Sequence, residues 1–175
     1  MDPIIATGAQ APLFQLTDLS GEIYALEDLR GWITVLTFWS AECGWCERVD
    51  HELLDWLVSC QETVKVLWIA SNINESRDLI ERVAAQRNLP TVLLDEHQTV
   101  ANLYGAVTTP HFFVVDRMGK LAYQGAWYDI TFRQRVATRV YVAEVVQALR
   151  HDLTPQVIQT PPYGCMLVRY SDSAS

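Results

Sequence analysis

The sequence changes from a strand pattern to a helix pattern at residues 33–60, and two cysteines lie at the change. Residues 33–39 are β-branched and aromatic, which is the composition of a buried central strand. After them, apolar residues recur on one face of a helix, at Val49, Leu53, Trp56, Leu57 and Cys60. We therefore predict a strand over 33–39 and a helix over about 43–59, with Cys43 and Cys46 in its first turn.

The Cys43-Gly44-Trp45-Cys46 segment has the chemistry of a redox site. Unpaired N–H groups and the positive end of the helix dipole stabilise a thiolate on Cys43. Cys46 follows three residues later, close enough to close a small disulfide ring. A single Cys-x-x-Cys without a second cysteine pair or a histidine pair leaves a zinc site incomplete, so we expect no metal.

Length and charge limit the class of protein. With 175 residues the chain fits one domain, and its net charge of −8 without a Lys/Arg cluster argues against nucleic-acid binding. No apolar run reaches the ~18 residues of a membrane span. The N-terminus lacks a basic segment followed by a long apolar one, so we expect a cytoplasmic protein, or an exported, periplasmic one if a signal had been removed. The oligomeric state stays open.

The remaining pattern predicts an α/β fold with a mixed parallel and antiparallel sheet and helices on both faces. An N-terminal β-hairpin over 13–26 precedes the central strand. After the helix that carries the cysteines, we predict strands at 64–70 and 91–94, helices at 76–88 and 132–151, a helical turn at 99–104, and a second hairpin at 112–123. We predict an N-terminal arm at 1–12, a domain at 13–151, and an extended tail at 152–175 packed on it.

Several segments together resemble the thioredoxin fold. They are Phe38–Cys46, Tyr104–Pro110, Phe113–Lys120 and Tyr123–Gly125. Within that fold the chain resembles the TlpA/ResA-like thiol-disulfide oxidoreductases and their redoxin (AhpC/TSA) relatives, over about residues 10–150. The ending at 160–165 resembles a tail found in one group of redoxin-domain proteins.

This resemblance implies a mechanism without an organic cofactor. Cys43 would be the exposed nucleophile that attacks a substrate disulfide, and Cys46 would resolve the mixed disulfide. Pro110 would be cis beside the cysteines, with the backbone of Thr109 pairing with an extended substrate. Trp45 would shape the partner surface. The partners would be a protein or small-thiol disulfide substrate and a separate thiol electron donor.

Two departures from the family pattern concern the proton acceptor for Cys46. Thr37 stands where thioredoxins carry a buried acid, and Val49 stands where TlpA/ResA-like proteins often carry a glutamate. Asp50, Glu27 and bound water are the alternatives. The Gly-Trp pair between the cysteines leaves the direction of electron transfer open.

Other residues have two interpretations each. We expect Cys60, on the apolar face of the helix, to be a buried structural thiol. Cys165 is either a third redox thiol near the site or part of the packing of the tail, and we favour packing. Trp39 either packs or contacts substrate. His111 either tunes the thiolate or, as we favour, only begins a strand.

Two other functions compete with disulfide exchange. The first is a thiol peroxidase of the peroxiredoxin type: Ser40 stands three residues before Cys43 as in that group, but Leu36 replaces the expected proline. The second is a non-enzymatic redox-sensing or metal-carrying interaction module.

Overall fold

A computed structural model describes residues 4–171, and residues 1–3 of the predicted arm and 172–175 of the predicted tail lie outside it. The strands are β1 (Gln15–Asp18), β2 (Ile23–Ala25), β3 (Ile33–Trp39), β4 (Val64–Ala70), β5 (Val92–Leu94), β6 (Thr108–Thr109), β7 (His111–Val115), β8 (Leu121–Gly125) and β9 (Cys165–Met166). The helices are α1 (Gly44–Val58), α2 (Arg77–Gln86), α3 (Thr99–Tyr104) and α4 (Tyr141–Arg150), with a 3-10 turn at Leu26–Leu29.

Seven strands form one mixed sheet in the order β2-β1-β5-β4-β3-β7-β8. Strands β3, β4 and β5 run parallel, while β1 and β7 join them antiparallel on either side. All seven residues of β3 are buried, as expected for a central strand covered on both faces. The predicted mixed sheet and N-terminal hairpin are confirmed.

Alternate residues of β3 point to two separate hydrophobic clusters. Val35 and Trp39 pack with α1, α2 and α4 in one cluster, and Leu36 and Phe38 pack with α3 in the other. Helices therefore cover both faces of the sheet, as predicted. The carboxyl ends of β3 and β4 meet at one edge, and the two cysteines of the motif lie just beyond that edge.

The last helix was predicted from about residue 132, but it begins at Tyr141, so its predicted start is wrong. The residues before it form a loop closed on Asp129, whose carboxylate accepts the backbone N–H groups of Thr138 and Arg139 at 2.9 and 3.1 Å. Phe132 and Val136 are exposed there, so a helix would have had no apolar face to bury.

A second, two-stranded sheet was not predicted. Strand β9, near the end of the described chain, pairs antiparallel with β6, so that Cys165 lies opposite Thr109 and Met166 opposite Thr108. The last described residues thus return to the edge of the sheet where the cysteines lie. The division of the chain at residues 12 and 152 stays a prediction.

Candidate active site

A three-residue loop after β3 places Cys43, and a buried glutamate holds that loop. The carboxylate of Glu75 accepts the hydroxyl of Ser40 and the backbone N–H groups of Ala41 and Glu42, the latter two at 3.2 Å. Because β3 and β4 are parallel and adjacent, the loop after β4 that carries Glu75 lies beside the loop after β3. The hydroxyl of Ser40 is therefore engaged by Glu75.

Cys43 is the N-cap residue of α1, as the sequence predicts. Its backbone is extended, and its side chain makes no capping hydrogen bond. The N–H groups of the first helical turn lack partners within the helix, so they favour negative charge on a sulfur at this position. This position therefore favours a thiolate at Cys43.

The sulfur of Cys43 is bonded to Cys165, not to Cys46. The Cα atoms of Cys43 and Cys165 are 6.2 Å apart, and Cys46 is a free thiol. Cys43 is only 3% exposed, so the expectation of an exposed nucleophile is wrong for this state, because the tail covers it. For Cys165 we favoured a role in the packing of the tail only. Its sulfur is also bonded to Cys43, so packing alone does not describe this residue.

Cys46 lies deeper than Cys43, in the first turn of α1. Burial raises the pKa of its thiol well above the usual range, and the negative charge of Asp50 adds to this effect. The backbone of Ser40, the hydroxyl of Thr109 and the charge of Arg87 act in the opposite direction. In this state Cys46 is therefore a protonated thiol that needs a base in order to react.

A buried ion pair lies beneath Cys46. The Asp50 carboxylate accepts hydrogen bonds from the indole N–H groups of Trp39 and Trp68 at 2.7 and 2.9 Å, and from Arg87 at 3.0 Å. Arg87 also donates to the carbonyl of Ala41 at 2.9 Å. Burial raises the pKa of Asp50, while these three donors act to lower it. Trp39 is thus a packing and hydrogen-bonding residue.

Of the two side chains considered as proton acceptors for Cys46, Asp50 and Glu27, the structure places Asp50 near Cys46. It follows Cys46 by four residues on α1, so both side chains lie on one face of the helix. Glu27 is in the 3-10 turn before β3, whereas the cysteines follow the other end of that seven-residue strand. A strand of this length spans about 20 Å, which excludes Glu27 from the site.

Thr109 faces both cysteines of the motif. Its carbonyl oxygen is 3.0 Å from the Cys43 sulfur, and its buried hydroxyl, near Cys46, has no hydrogen-bond partner among the described residues. The Thr109–Pro110 peptide bond is cis, which confirms that expectation. The backbone of Thr109 pairs with β9, which is the tail of the same chain.

Trp45 is half-buried and contacts the tail. Its ring lies edge-on to Tyr163, with the ring centres 5.0 Å apart, and the Arg48 guanidinium is 5.8 Å from the centre of the Trp45 ring. Trp45 also lines a cavity of about 500 Å³ together with Thr108, Phe132 and Gly164. The position of Trp45 at the rim of the site fits the predicted role in shaping the partner surface.

Two of the residues with open interpretations have structural roles. Cys60 is a buried free thiol just beyond α1, which confirms the prediction, and burial raises its pKa. His111 is buried in β7, and its Nδ1 accepts the N–H of Val107 at 3.3 Å. Burial lowers the pKa of His111 to about 3, so the ring is neutral near pH 7 and carries no charge to the thiolate.

Sequence reasoning missed three residues that hold the site: Trp68, Glu75 and Arg87. The sequence carried one signal for Arg87. This residue, at the end of α2, falls on the same side of the helix as Ile80 and Ala84, which are buried. A charged residue on an apolar face implies a buried partner of opposite charge. The partner, Asp50, is distant along the chain, so the pattern could not name it.

Within residues 4–171, no group of three or more His, Cys, Asp and Glu side chains is placed to hold a metal ion. No helix in the described part of the chain is both long and apolar enough to cross a membrane.

Comparison with known proteins identifies relatives over the first two thirds of the chain. The model of the AhpC/TSA family matches residues 7–124. The thiol-disulfide oxidoreductase ResA of Geobacillus thermodenitrificans is 32% identical over 118 residues, which is 67% of each chain. The ResA protein of Geobacillus kaustophilus is 31% identical over the same lengths.

Solved structures give the fold and extend the likeness to the tail. An uncharacterized conserved protein from Geobacillus kaustophilus is 28% identical, with a TM-score of 0.87, and the match covers 99% of this chain and 97% of that one. A hypothetical protein from Sinorhizobium meliloti is 24% identical, with a TM-score of 0.85 and coverage of 95% and 97%. The thioredoxin domain of a thiol-disulfide oxidoreductase from Bacteroides vulgatus is 24% identical, with a TM-score of 0.62 and coverage of 69% and 88%. The fold is thioredoxin-like.

Proposed function

This chain belongs to the AhpC/TSA family, and on that premise we propose that it is a thiol-disulfide oxidoreductase. Its substrate would be a protein or small-thiol disulfide, and a separate thiol would donate electrons. The observation that carries the proposal is the placement of Cys43 at the start of α1, bonded to a cysteine carried on a paired strand. A sulfur that already holds a partner cysteine in this way has the geometry of a mixed disulfide.

In the first step, the Cys43 thiolate attacks one sulfur of the substrate disulfide. A bond forms between Cys43 and that sulfur, and the other substrate sulfur leaves as a thiolate and takes up a proton. The unpaired N–H groups at the start of α1 stabilise the attacking anion, and the loop held by Glu75 fixes its position.

In the second step, the Cys46 sulfur attacks Cys43, forming the Cys43–Cys46 disulfide and releasing the second substrate sulfur as a thiol. The substrate gains two electrons, and the thiol donor later returns them to the protein. Cys46 must lose its proton, and Asp50 is the acceptor we propose. The raised pKa of Asp50 allows its carboxylate to take a proton at a higher pH than an exposed carboxylate would.

Reduction of insulin disulfides, with dithiothreitol as the donor, tests this function. The wild-type protein and the matched control Cys60→Ser, a buried cysteine away from the site, should both accelerate precipitation of the insulin B chain. Cys43→Ser should fall to the background rate. The Cys46→Ser, Cys165→Ser double variant, incubated with insulin without dithiothreitol, should accumulate a mixed disulfide with insulin because neither thiol remains to resolve it. Equal residual turnover in the Cys43 and Cys46 variants would contradict the two roles.

The same samples separate the competing functions. Peroxide consumption at the background rate is expected, since the Ser40 hydroxyl is engaged by Glu75. Consumption faster than insulin reduction would support the peroxidase instead. Stoichiometric bound metal without turnover in either assay would support a metal-carrying module.

A further inference from the structure

Residues 160–168 lie across the candidate active site as an extended segment. Upstream, the Thr160 hydroxyl contacts the Tyr123 hydroxyl at 2.6 Å and accepts the N–H of Ala126 at 3.0 Å. Downstream, the Leu167 side chain is buried, and its N–H donates to the carbonyl of Val107 at 3.1 Å. These two anchors hold the residues between them over Cys43.

The downstream anchor continues one residue further. The Val168 carbonyl accepts hydrogen bonds from the side chain of Gln98 at 2.7 Å and from the N–H of Ile73 at 3.3 Å. The Val168 N–H donates to Asn72 at 2.9 Å. Because the segment is fixed on both sides of Cys165, the effective concentration of this thiol at Cys43 is far above that of a free thiol.

Between the anchors, the segment is shaped for close contact with Thr109. Strand β9 pairs with β6, with Cys165 directly opposite Thr109. A Cβ added to Gly164 would lie 2.3 Å from the Thr109 carbonyl oxygen and 2.9 Å from the ring of Pro110. Only glycine allows the backbone to approach this closely.

We propose that Cys165 is a third redox cysteine, and that the tail is a built-in substrate that occupies the site in the resting oxidised protein. This inference rests on the proposed function and concerns the regulation of the same site. The tail places a cysteine on Cys43 and a strand on Thr109, which are the two contacts expected of an external substrate. Substrate and tail therefore compete for one sulfur.

The internal exchange is balanced without a further reactant. The Cys46 sulfur, after giving up its proton, attacks the Cys43 sulfur of the Cys43–Cys165 disulfide. A Cys43–Cys46 bond forms, the Cys43–Cys165 bond breaks, and Cys165 leaves as a thiolate that takes up the proton. No electron is gained or lost, so the oxidised protein has two forms: one with the tail bonded over the site and one with the tail thiol free.

Disulfide mapping of the full-length oxidised protein tests the bond directly. The protein is quenched in acid, denatured, alkylated with N-ethylmaleimide and digested with trypsin. Cys43 and Cys46 fall in peptide 31–48, Cys60 in 49–65, and Cys165 in 151–169. We expect peptides 31–48 and 151–169 to be linked, with one maleimide on Cys46 and one on Cys60.

The contrary result is a disulfide only within peptide 31–48 with Cys165 fully alkylated, so that no linked peptide is found; it would overturn the proposal. That result leaves insulin reduction by Cys43 and Cys46 intact, so failure of the inference differs from failure of the proposed function.

A variant that displaces the tail provides a second, independent readout. Gly164→Ala introduces the Cβ that would collide with Thr109, while Met166→Ala, a matched control on the same strand, removes a side chain that is 83% exposed. In the reduced protein, we expect Gly164→Ala to raise the rate of Cys43 alkylation at least about tenfold, which corresponds to about 1.4 kcal/mol. Met166→Ala should react like the wild type. Equal rates in the two variants would show that the tail does not cover the site.

Discussion

The two layers that enclose the cysteines differ in how they are held. Below them, Asp50 receives three hydrogen bonds, from the fully buried Trp39 and Trp68 and from the partly buried Arg87. Above them, the tail contributes a two-residue strand and the aromatic contacts of Tyr163 with Trp45 and Phe132. The lower layer can be removed only by unfolding, whereas the upper layer can open locally.

This difference separates two tasks at one site. The lower layer fixes the position and the proton chemistry of Cys46, and it has to stay in place through every cycle. The upper layer occupies the position of a substrate, so it has to leave before each cycle. Single substitutions can disturb either layer without touching the other.

The largest effect should come from breaking the buried ion pair. Arg87→Gln leaves the Asp50 carboxylate buried and without its cation, and we expect a loss of about 3–5 kcal/mol in the free energy of unfolding. The matched control is Arg77→Gln, which removes an exposed pair with Glu81 and should cost at most about 1 kcal/mol. Urea unfolding measures both, and equal losses would mean that the lower layer is not specially held.

The second effect is a pH dependence from His111, which is buried in β7 beside Phe113. Burial lowers the pKa of His111 to about 3, so between that value and about 6.5 the unfolded chain binds a proton that the folded chain does not. Above about pH 6.5 the His111 ring is neutral in both states, so the folded protein has its full stability. As the pH falls below that value, proton uptake by the unfolded chain lowers the free energy of unfolding. From pH 7 to pH 5 we expect a loss of about 2 kcal/mol attributable to this residue.

Comparison of variants isolates that contribution. His111→Phe should lose less stability between pH 7 and pH 5 than the wild type, whereas His51→Gln, an exposed histidine on α1, should behave like the wild type. Parallel pH profiles for the wild type and His111→Phe would contradict the burial argument.

In the upper layer, the contact between Tyr163 and Trp45 should be worth about 1 kcal/mol to tail docking. Tyr163→Ala should therefore raise the rate of Cys43 alkylation in the reduced protein about fivefold. Tyr170→Ala, further along the tail at a mostly exposed residue, is the control and should change the rate little. An alkylation rate of Cys43 that is unchanged by Tyr163→Ala would show that this contact does not stabilise tail docking.

The smallest effect on overall stability should come from a residue that is nearly as buried as the core. Leu167 is 3% exposed and Leu53 is 0% exposed. Leu53→Ala should cost about 2–5 kcal/mol of unfolding free energy. Leu167→Ala should lower that free energy by no more than about 1.4 kcal/mol in the reduced protein, because it can remove only the free energy of tail docking. A loss as large as that of Leu53→Ala would make the tail part of the rigid fold.

Parts of the sheet and of the lower layer could be predicted from patterns formed by residues close together in the sequence. The apolar run of β3 and the helical spacing of α1 placed Cys43 at the helix start correctly, because strand and helix patterns are read within a dozen residues. The ion pair of Asp50 and Arg87 depends on how two helices pack, and residue spacing alone does not determine that.

The upper layer could be predicted only in part. Proline and glycine residues in the tail indicated an extended segment, and its apolar residues indicated packing. A two-residue strand such as β9 has no periodicity, so its pairing with Thr109 gave no signal, and neither did the bond to Cys43. The delayed start of α4 has a similar cause, since Asp129 closes a loop through hydrogen bonds that compete with a helix.

The role of Cys43 as the sulfur that bonds to outside partners is most directly tested with the Cys46→Ser, Cys165→Ser double variant. Without a resolving thiol and without the tail thiol, glutathione disulfide should leave one stable glutathionyl group on Cys43, recovered in tryptic peptide 31–48. An adduct only on Cys60 in peptide 49–65, or no adduct at all, would contradict that role.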